Sequence, residues 1–101
     1  MTPPLSLLVR PAAQEDITRA TLWYERRAAG LGARFREDVE GTLVAIREQP
    51  ELFRLMHRDV RRALLREFPY AVYFVLRGDA IHVLACIHGR RHPRHWRQRT
   101  R

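Results

Sequence analysis

The chain has 101 residues, enough for one domain around one small core. Hydrophobic residues make up 46% and charged residues 30%, which is typical of a globular protein and excludes a disordered one. A single cysteine excludes an internal disulfide framework, and no apolar run reaches the ~20 residues of a membrane-spanning helix.

The net charge of +8 is unevenly distributed along the chain. All 19 basic residues are arginines, against 11 acidic residues. Residues 1–51 contain 7 arginines and 8 acidic residues, whereas residues 52–101 contain 12 and 3. The last 14 residues hold six arginines, three histidines and no acid. A cationic half predicts an anionic partner, either nucleic acid, the ribosome or an acidic protein segment.

The N-terminal half predicts a strand followed by a helical hairpin. Leu5–Arg10 has the length and apolar content of a strand. Pro11 suits the first turn of a helix, with Glu15 and Asp16 near the positive end of its dipole. Apolar residues at helical spacing then lie on either side of Gly30-Leu31-Gly32, and the second helix ends before Pro50. The two stripes are Ala13, Ile17, Ala20, Tyr24 and Ala28, and then Leu31, Phe35, Val39, Leu43 and Ile46.

The C-terminal half has the pattern of strands. Arg61–Phe68, Tyr70–Arg77 and Ala80–His88 are rich in β-branched and aromatic residues, and Gly78-Asp79 is a tight-turn sequence. The face of the last strand that we expect to pack on the helices carries Ile81, Val83, Ala85 and Ile87. The order β-α-α-β-β-β predicts a single α+β domain over residues 1–101, a two-helix hairpin packed on a small antiparallel sheet. Residues 89–101 are a basic C-terminal tail.

Short motifs, in the order of these elements, resemble a known family of bacterial toxins. They are Asp16-Ile17, Trp23-Tyr24-Glu25, Gly30-Leu31-Gly32 with Phe35, Leu43, Ile46 and Pro50, Arg61-Arg62, Phe68-Pro69-Tyr70 with Val72-Tyr73-Phe74, and a C-terminal His88, Arg91, Pro93, Trp96 and Arg99. Together they resemble the RelE/ParE superfamily of type II toxins, closer to the ParE branch of plasmid-stabilisation toxins. That family's fold agrees with the order of elements predicted above.

The resemblance implies a cytoplasmic toxin that arrests growth and is neutralised in a hetero-oligomer with its cognate antitoxin. The antitoxin's acidic C-terminal segment is expected to wrap around the toxin. ParE-branch toxins are taken to block DNA gyrase by binding, so we expect an inhibitor and not an enzyme. The alternative is a RelE-like, ribosome-dependent mRNA endonuclease. The N-terminus lacks the pattern of a signal peptide, so we also expect a cytoplasmic protein without membrane contact.

The endonuclease alternative needs groups that transfer protons. RNA cleavage through the 2′-hydroxyl requires a base and an acid, and arginine supplies only a cation. The RelE branch relies on lysines and a late tyrosine, whereas this chain has no lysine and no tyrosine after Tyr73. One of His88, His92 or His95 would have to act instead. The candidate catalytic residues of a ribonuclease are therefore Arg62, His88 and Arg91.

Six side chains are candidates for contact with the antitoxin or the target: Trp23, Arg61, Arg62, Arg66, Arg91 and Trp96. In a regular strand Arg62 and Arg66 share one face and Arg61 points to the other. On the first helix Tyr24 belongs to the core stripe and Trp23 flanks it. Trp96 either anchors a partner or folds back and pins the tail to the sheet, and we expect the second arrangement.

We expect no metal and no cofactor. Three histidines near Cys86 have a spacing that zinc sites use, but Arg90, Arg91 and Arg94 lie among them and would repel a dication. Cys86 itself is expected to be a small strand residue and not a nucleophile, because neither a helix N-terminus nor a paired base is implied beside it.

Overall fold

The computed structural model describes residues 5–90 and 93–100, and of His95 only the backbone. In order, the elements are β1 (Ser6–Val9), α1 (Pro11–Arg27), α2 (Leu31–Glu48), a 3-10 turn (Pro50–Leu52), β2 (Arg54–His57), β3 (Val60–Leu64), β4 (Tyr70–Arg77), β5 (Ala80–His88) and α3 (Arg94–Arg97). The strands form one sheet in the order β1-β5-β4-β3-β2. The α1–α2 hairpin packs on one face of this sheet, which confirms the predicted α+β fold.

The sheet differs from the prediction at its two edges. Strand β1 pairs with β5 in parallel, whereas all other neighbours are antiparallel. Strand β2 was not predicted, because its sequence Arg-Leu-Met-His lacks β-branched residues and follows directly on the 3-10 turn. The predicted strand Arg61–Phe68 is also shorter, and ends at Leu64.

The early end of β3 has an identifiable cause on α2. The carboxylate of Asp38 accepts hydrogen bonds from the backbone N–H groups of Arg66, Glu67 and Phe68, at 3.1, 2.8 and 3.0 Å. Three consecutive amides turned toward one side chain cannot also pair in a sheet. Arg66 therefore lies in a turn, and the prediction that it shares a strand face with Arg62 is wrong.

The two helices approach each other closely at Gly32. A Cβ atom at this position would lie 2.8 Å from the backbone oxygen of Thr21 on α1, so only glycine fits. Beneath the helices, Tyr24 packs against Phe35 and Phe68 with ring centroids 5.4 and 4.7 Å apart. The predicted stripes thus form the core with β4 and β5, apart from Ala28, which is exposed beyond the end of α1.

A β-bulge in β5 exchanges the two faces of that strand. Tyr73 pairs with Ala85 and Phe74 with Val83, so Leu84 is an extra residue. Before the bulge, Ile81 and Val83 pack against the helices as predicted. After it, Cys86 takes the helix side, and the prediction for Ala85 and Ile87 is wrong because both lie on the opposite face.

That opposite face, which we call the far face, is covered at its centre by the C-terminal segment. Trp96 is 2% exposed and its indole stacks on the ring of Tyr73, with centroids 4.8 Å apart. Val60, Val75 and Leu84 also belong to this second cluster. The tail is therefore pinned to the sheet by Trp96, which is the arrangement expected from the sequence.

Candidate functional site

A groove of about 480 Å³ runs between α1 and the edge of β5, and we call it the α1–β5 groove. It is lined by Asp16, Arg19, Ala20, Trp23, Tyr24, Pro69, Tyr70, Cys86, Ile87, His88 and Arg99. The groove exists because β1 ends at Val9 and the chain turns into α1, so that beyond Val83 the edge of β5 opposite β4 has no neighbouring strand.

Aromatic side chains form the wall of the α1–β5 groove. Tyr70 lies between Tyr24 and His88, with ring centroids 6.0 and 5.6 Å away. Trp23 is 48% exposed, and the guanidinium of Arg27 lies 4.2 Å above its ring. Burial raises the pKa of Tyr24, and the neighbouring Tyr70 raises it further. The wall therefore offers apolar contact surface with cations at its rim, which suits a segment that carries both apolar and acidic side chains.

An ion pair closes one end of the groove. Arg99 donates to both carboxylate oxygens of Asp16, at 2.6 and 3.4 Å, and also to the carbonyl oxygen of Leu84 at 3.2 Å. Asp16 in turn accepts the backbone N–H of Cys86 at 3.1 Å. These two side chains thus satisfy backbone groups of β5 where β1 no longer pairs with it.

The thiol of Cys86 is buried next to this ion pair. Burial raises the pKa of Cys86 to about 12, and the negative charges of Asp16 and Asp38 add to the effect. At neutral pH the residue is a protonated, buried thiol. Cys86 is thus a buried residue of β5, as the sequence predicts.

The predicted contact residues occupy different parts of the molecule. Trp23 is exposed on the groove as expected, and Arg62 pairs with Tyr73 across the sheet and so lies on the far face. Arg61 instead faces the helix side, where it donates to the carbonyl oxygens of Glu51 and Phe53 at 3.1 and 2.7 Å. Arg91 lies outside the described residues. Trp96 is buried against Tyr73 of the sheet, so its ring is not exposed to a partner.

Two of the candidate catalytic residues of a ribonuclease, Arg62 and His88, do not come together. Arg62 lies on the far face, whereas His88 pairs with Tyr70 and lines the α1–β5 groove on the helix side. The ring nitrogen Nδ1 of His88 accepts the backbone N–H of Arg90 at 3.1 Å. The third member, Arg91, lies outside the described residues, as do His92 and the side chain of His95.

The sequence does not indicate the contact between Asp16 and Arg99 at the end of the groove. The sequence places Asp16 near the start of a helix, but its side chain is 4% exposed and faces β5. Arg99 was part of a motif without an assigned contact. The burial of Asp16 could have been predicted from helical spacing. It directly precedes Ile17 and lies three residues after Ala13, so it belongs to the buried side of α1.

Two further observations limit the kinds of site. In the part of the chain that the structure describes, no three histidine, cysteine or acidic side chains are grouped as a metal would require. None of the helices in that part is long and apolar enough to cross a bilayer.

Comparisons with known proteins identify the class to which this fold belongs. A family model described as the ParE toxin of the type II toxin–antitoxin system parDE matches residues 7–93. A comparison with curated protein sequences gives no match. Among solved structures, the chromosomal ParDE toxin–antitoxin system from P. aeruginosa superimposes with a TM-score of 0.76 at 17% identity, over 83% of this chain and 95% of that one. A double arginine-to-alanine variant of the E. coli toxin RelE in the free state gives 0.66 at 18% identity, over 87% and 86%.

The helical hairpin on a five-stranded sheet is therefore the fold of both solved structures, as the resemblance to the RelE/ParE superfamily implies. The family model covers most of the chain, including α1, α2, β2 to β5 and all of β1 except Ser6. The chain belongs to the ParE toxin family of type II toxin–antitoxin systems.

Proposed function

We propose that the chain arrests growth by binding DNA gyrase, and that a cognate antitoxin neutralises it by laying an acidic C-terminal segment in the α1–β5 groove. The observation that carries this proposal is the groove itself, an aromatic wall with arginines at its rim, in a chain of the ParE family. The family resemblance supports gyrase as the target. Charge complementarity with the arginines at the rim supports an acidic segment as the occupant of the groove.

The chemistry of the groove supports a peptide segment as its occupant. Trp23 offers a half-exposed indole, and Arg19 lies close by on the same wall. An apolar antitoxin side chain would cover Trp23, while a carboxylate beside it would pair with Arg19, whose side chain is 70% exposed. Buried aromatic anchors surrounded by charged pairs are the arrangement that dominates the energy of protein interfaces.

Inhibition by binding is also supported by the distribution of proton-transfer groups. Arginine cannot exchange protons near neutral pH, so the far-face residue Arg62 can stabilise a phosphate but cannot act as a base or an acid. His88 can act as a base or an acid, but it lies on the other side of the sheet from Arg62.

A second candidate function is ribosome-dependent mRNA cleavage. The superposition on E. coli RelE and the arginines of the far face favour it. It predicts cuts in translated mRNA that follow the codon phase and disappear in Arg62→Ala or His88→Ala.

Gyrase inhibition is tested with the purified chain, gyrase and plasmid DNA. We expect loss of supercoiling activity or trapped cleavage products, both reversed by the protein encoded next to this gene. Trp23→Ala should weaken antitoxin binding by about 30-fold, the effect of losing ~2 kcal/mol at an interface anchor. Leu52→Ala, at an exposed apolar residue outside the groove, is the matched control.

Two results would reject the proposal. Unchanged supercoiling with no cleavage product at high toxin excess excludes gyrase as the target. Equal antitoxin affinity for the wild type, Trp23→Ala and Leu52→Ala excludes the groove as the docking site. Primer extension on translated mRNA, run in parallel, reports whether the second candidate function applies.

A further inference from the structure

A second concave site lies between the β2–β3 turn and the C-terminal segment, and we call it the hairpin–tail pocket. Its volume is about 440 Å³, and it is lined by His57, Arg58, Arg97, Gln98 and Thr100. His57 also contacts the ring of Trp96, at 6.2 Å between centroids, which places the pocket on the far face. The α1–β5 groove shares none of these residues.

The pocket carries positive charge that the described residues do not neutralise. From residue 52 onward the chain has three acidic residues. Asp59 pairs with Arg77 and Glu67 with Arg34, while Asp79 lies in the turn between β4 and β5. Over residues 5–90 and 93–100, neither Arg58 nor Arg97 has a carboxylate within 4.0 Å.

Two further arginines extend the charge along the far face. Arg54 on β2 lies directly opposite Arg62 on β3, so the two side chains share one face of the sheet. Like charges placed opposite each other destabilise a pair of strands. Neither has a carboxylate partner among the residues that the structure describes. The far face thus carries a row of cations from the hairpin turn to Arg54.

The backbone of Arg58 adds an independent observation. Its φ angle is +52°, in the left-handed region where glycine is favoured, and it is the only non-glycine residue with positive φ in the described part of the chain. Arg58 and Asp59 form a two-residue turn between His57 and Val60, and such turns commonly use glycine at the first central position. Arginine is less favourable than glycine at this position, and its side chain lines the hairpin–tail pocket.

We propose that the hairpin–tail pocket and the Arg54–Arg62 pair bind the phosphodiester backbone of a nucleic-acid duplex, with one phosphate held in the pocket. A row of guanidinium groups matches a polyanion better than a single free phosphate. A duplex fits better than a single strand, because the large aromatic rings of this face, Tyr73 and Trp96, are 3% and 2% exposed and cannot stack on bases. The imidazole of His57, on the same face, is partly exposed, and it offers little stacking surface. Phosphate contacts without base contacts predict binding that is independent of sequence. This inference goes beyond gyrase inhibition and does not depend on it.

The test measures fluorescence anisotropy of a short labelled DNA duplex with the full chain over a range of salt concentrations. In Arg58→Gly/Arg97→Gln we expect affinity to fall by about tenfold or more, and the slope of log K against log salt to fall by about 2. The matched control is Arg26→Gln/Arg36→Gln, which removes the same charge from the exposed surfaces of α1 and α2 and should change both quantities much less.

The single variant Arg58→Gly distinguishes a loss of duplex binding from a loss of stability. Glycine relieves the positive φ angle, so the melting temperature should rise while duplex affinity falls. Competition with inorganic phosphate, a single strand of equal length and an acidic peptide then identifies the preferred ligand.

The proposal is overturned if both double variants lose affinity equally, because the binding would then be diffuse electrostatics. It is overturned if the single strand or the acidic peptide binds more tightly than the duplex, or if Arg58→Gly is stabilised without any loss of affinity. It is supported only if the duplex is preferred and the loss is confined to the pocket variants.

Discussion

Arg99 lies 83 positions after Asp16 in the chain, yet its guanidinium donates to both oxygens of the Asp16 carboxylate. The pair joins the C-terminal segment to the first helix across the edge of β5. Arg10 supports it from the other side, because its guanidinium donates to the carbonyl oxygen of Arg99 at 3.1 Å. The end of the chain is thereby held to the same edge of the sheet where β1 stops pairing with β5.

Removing the arginine of this pair should destabilise the fold. Arg99→Gln leaves the Asp16 carboxylate buried with only the Cys86 N–H and the distant Arg19, 3.9 Å away. Breaking a buried pair costs about 3–5 kcal/mol, and the 29% exposure of Arg99 reduces this to roughly 2–3 kcal/mol. Urea unfolding measures the change, with Arg90→Gln as a control on an exposed arginine. Equal stability of the two variants would show that the pair contributes nothing.

The carboxylate of Asp38 should contribute to stability through the turn at residues 65–69. Asp38→Ala removes the acceptor for three backbone N–H groups, of which that of Phe68 is partly buried. Because the others can turn to water, we expect a loss of about 2 kcal/mol and not the sum of three bonds. Glu37→Ala, at an exposed neighbouring acid, should change the free energy of unfolding by less than ~0.5 kcal/mol. A loss of similar size in both variants would contradict the role assigned to Asp38.

Cys86 should resist thiol reagents in the folded protein. With a pKa of about 12, only on the order of 10⁻⁴ of the thiol is ionised at pH 8. Labelling with Ellman's reagent should therefore be slow in buffer and fast in urea. Arg99→Gln should accelerate labelling in buffer, since the reaction reports opening of the structure over β5. Rapid labelling of the native wild type would show that the groove opens freely.

His57 should titrate below its ordinary value of 6.5. Partial desolvation lowers its pKa most, followed by the positive charges of Arg97 and Arg58. A lowered pKa disfavours the charged ring in the folded state, so the contribution of His57 to stability is present above pH 6.5 and is lost as the pH falls below it. NMR of the imidazole ring should show the midpoint moving upward in Arg58→Gly/Arg97→Gln. An unchanged midpoint would mean that the two arginines do not face the ring.

Periodic segments of the sequence predicted most of the fold. Both helices, β4 and β5 follow from the spacing of apolar residues, because burial on one face imposes that spacing directly. The bulge at Leu84 could not be predicted, because it depends on the register between β4 and β5 and the sequence of β5 alone does not indicate it. The same holds for the parallel placement of β1, which depends on where the helical hairpin returns the chain.

The candidate site was predictable only in part. Trp23 was identified because it flanks the core stripe of α1, and Trp96 because a lone tryptophan is usually buried. The Asp16–Arg99 contact joins the two ends of the chain, and no local pattern indicates it. The role of Arg58 required its φ angle, which a sequence does not provide.

The central claim is tested most directly by inducing this chain alone in bacteria that carry a reporter plasmid, and by following growth and plasmid topology together. Gyrase inhibition predicts growth arrest with loss of negative supercoiling or broken DNA, and recovery when the protein of the adjacent gene is expressed as well. Normal growth in the presence of folded toxin, or arrest with fully supercoiled plasmid and codon-phased mRNA cuts, would contradict it.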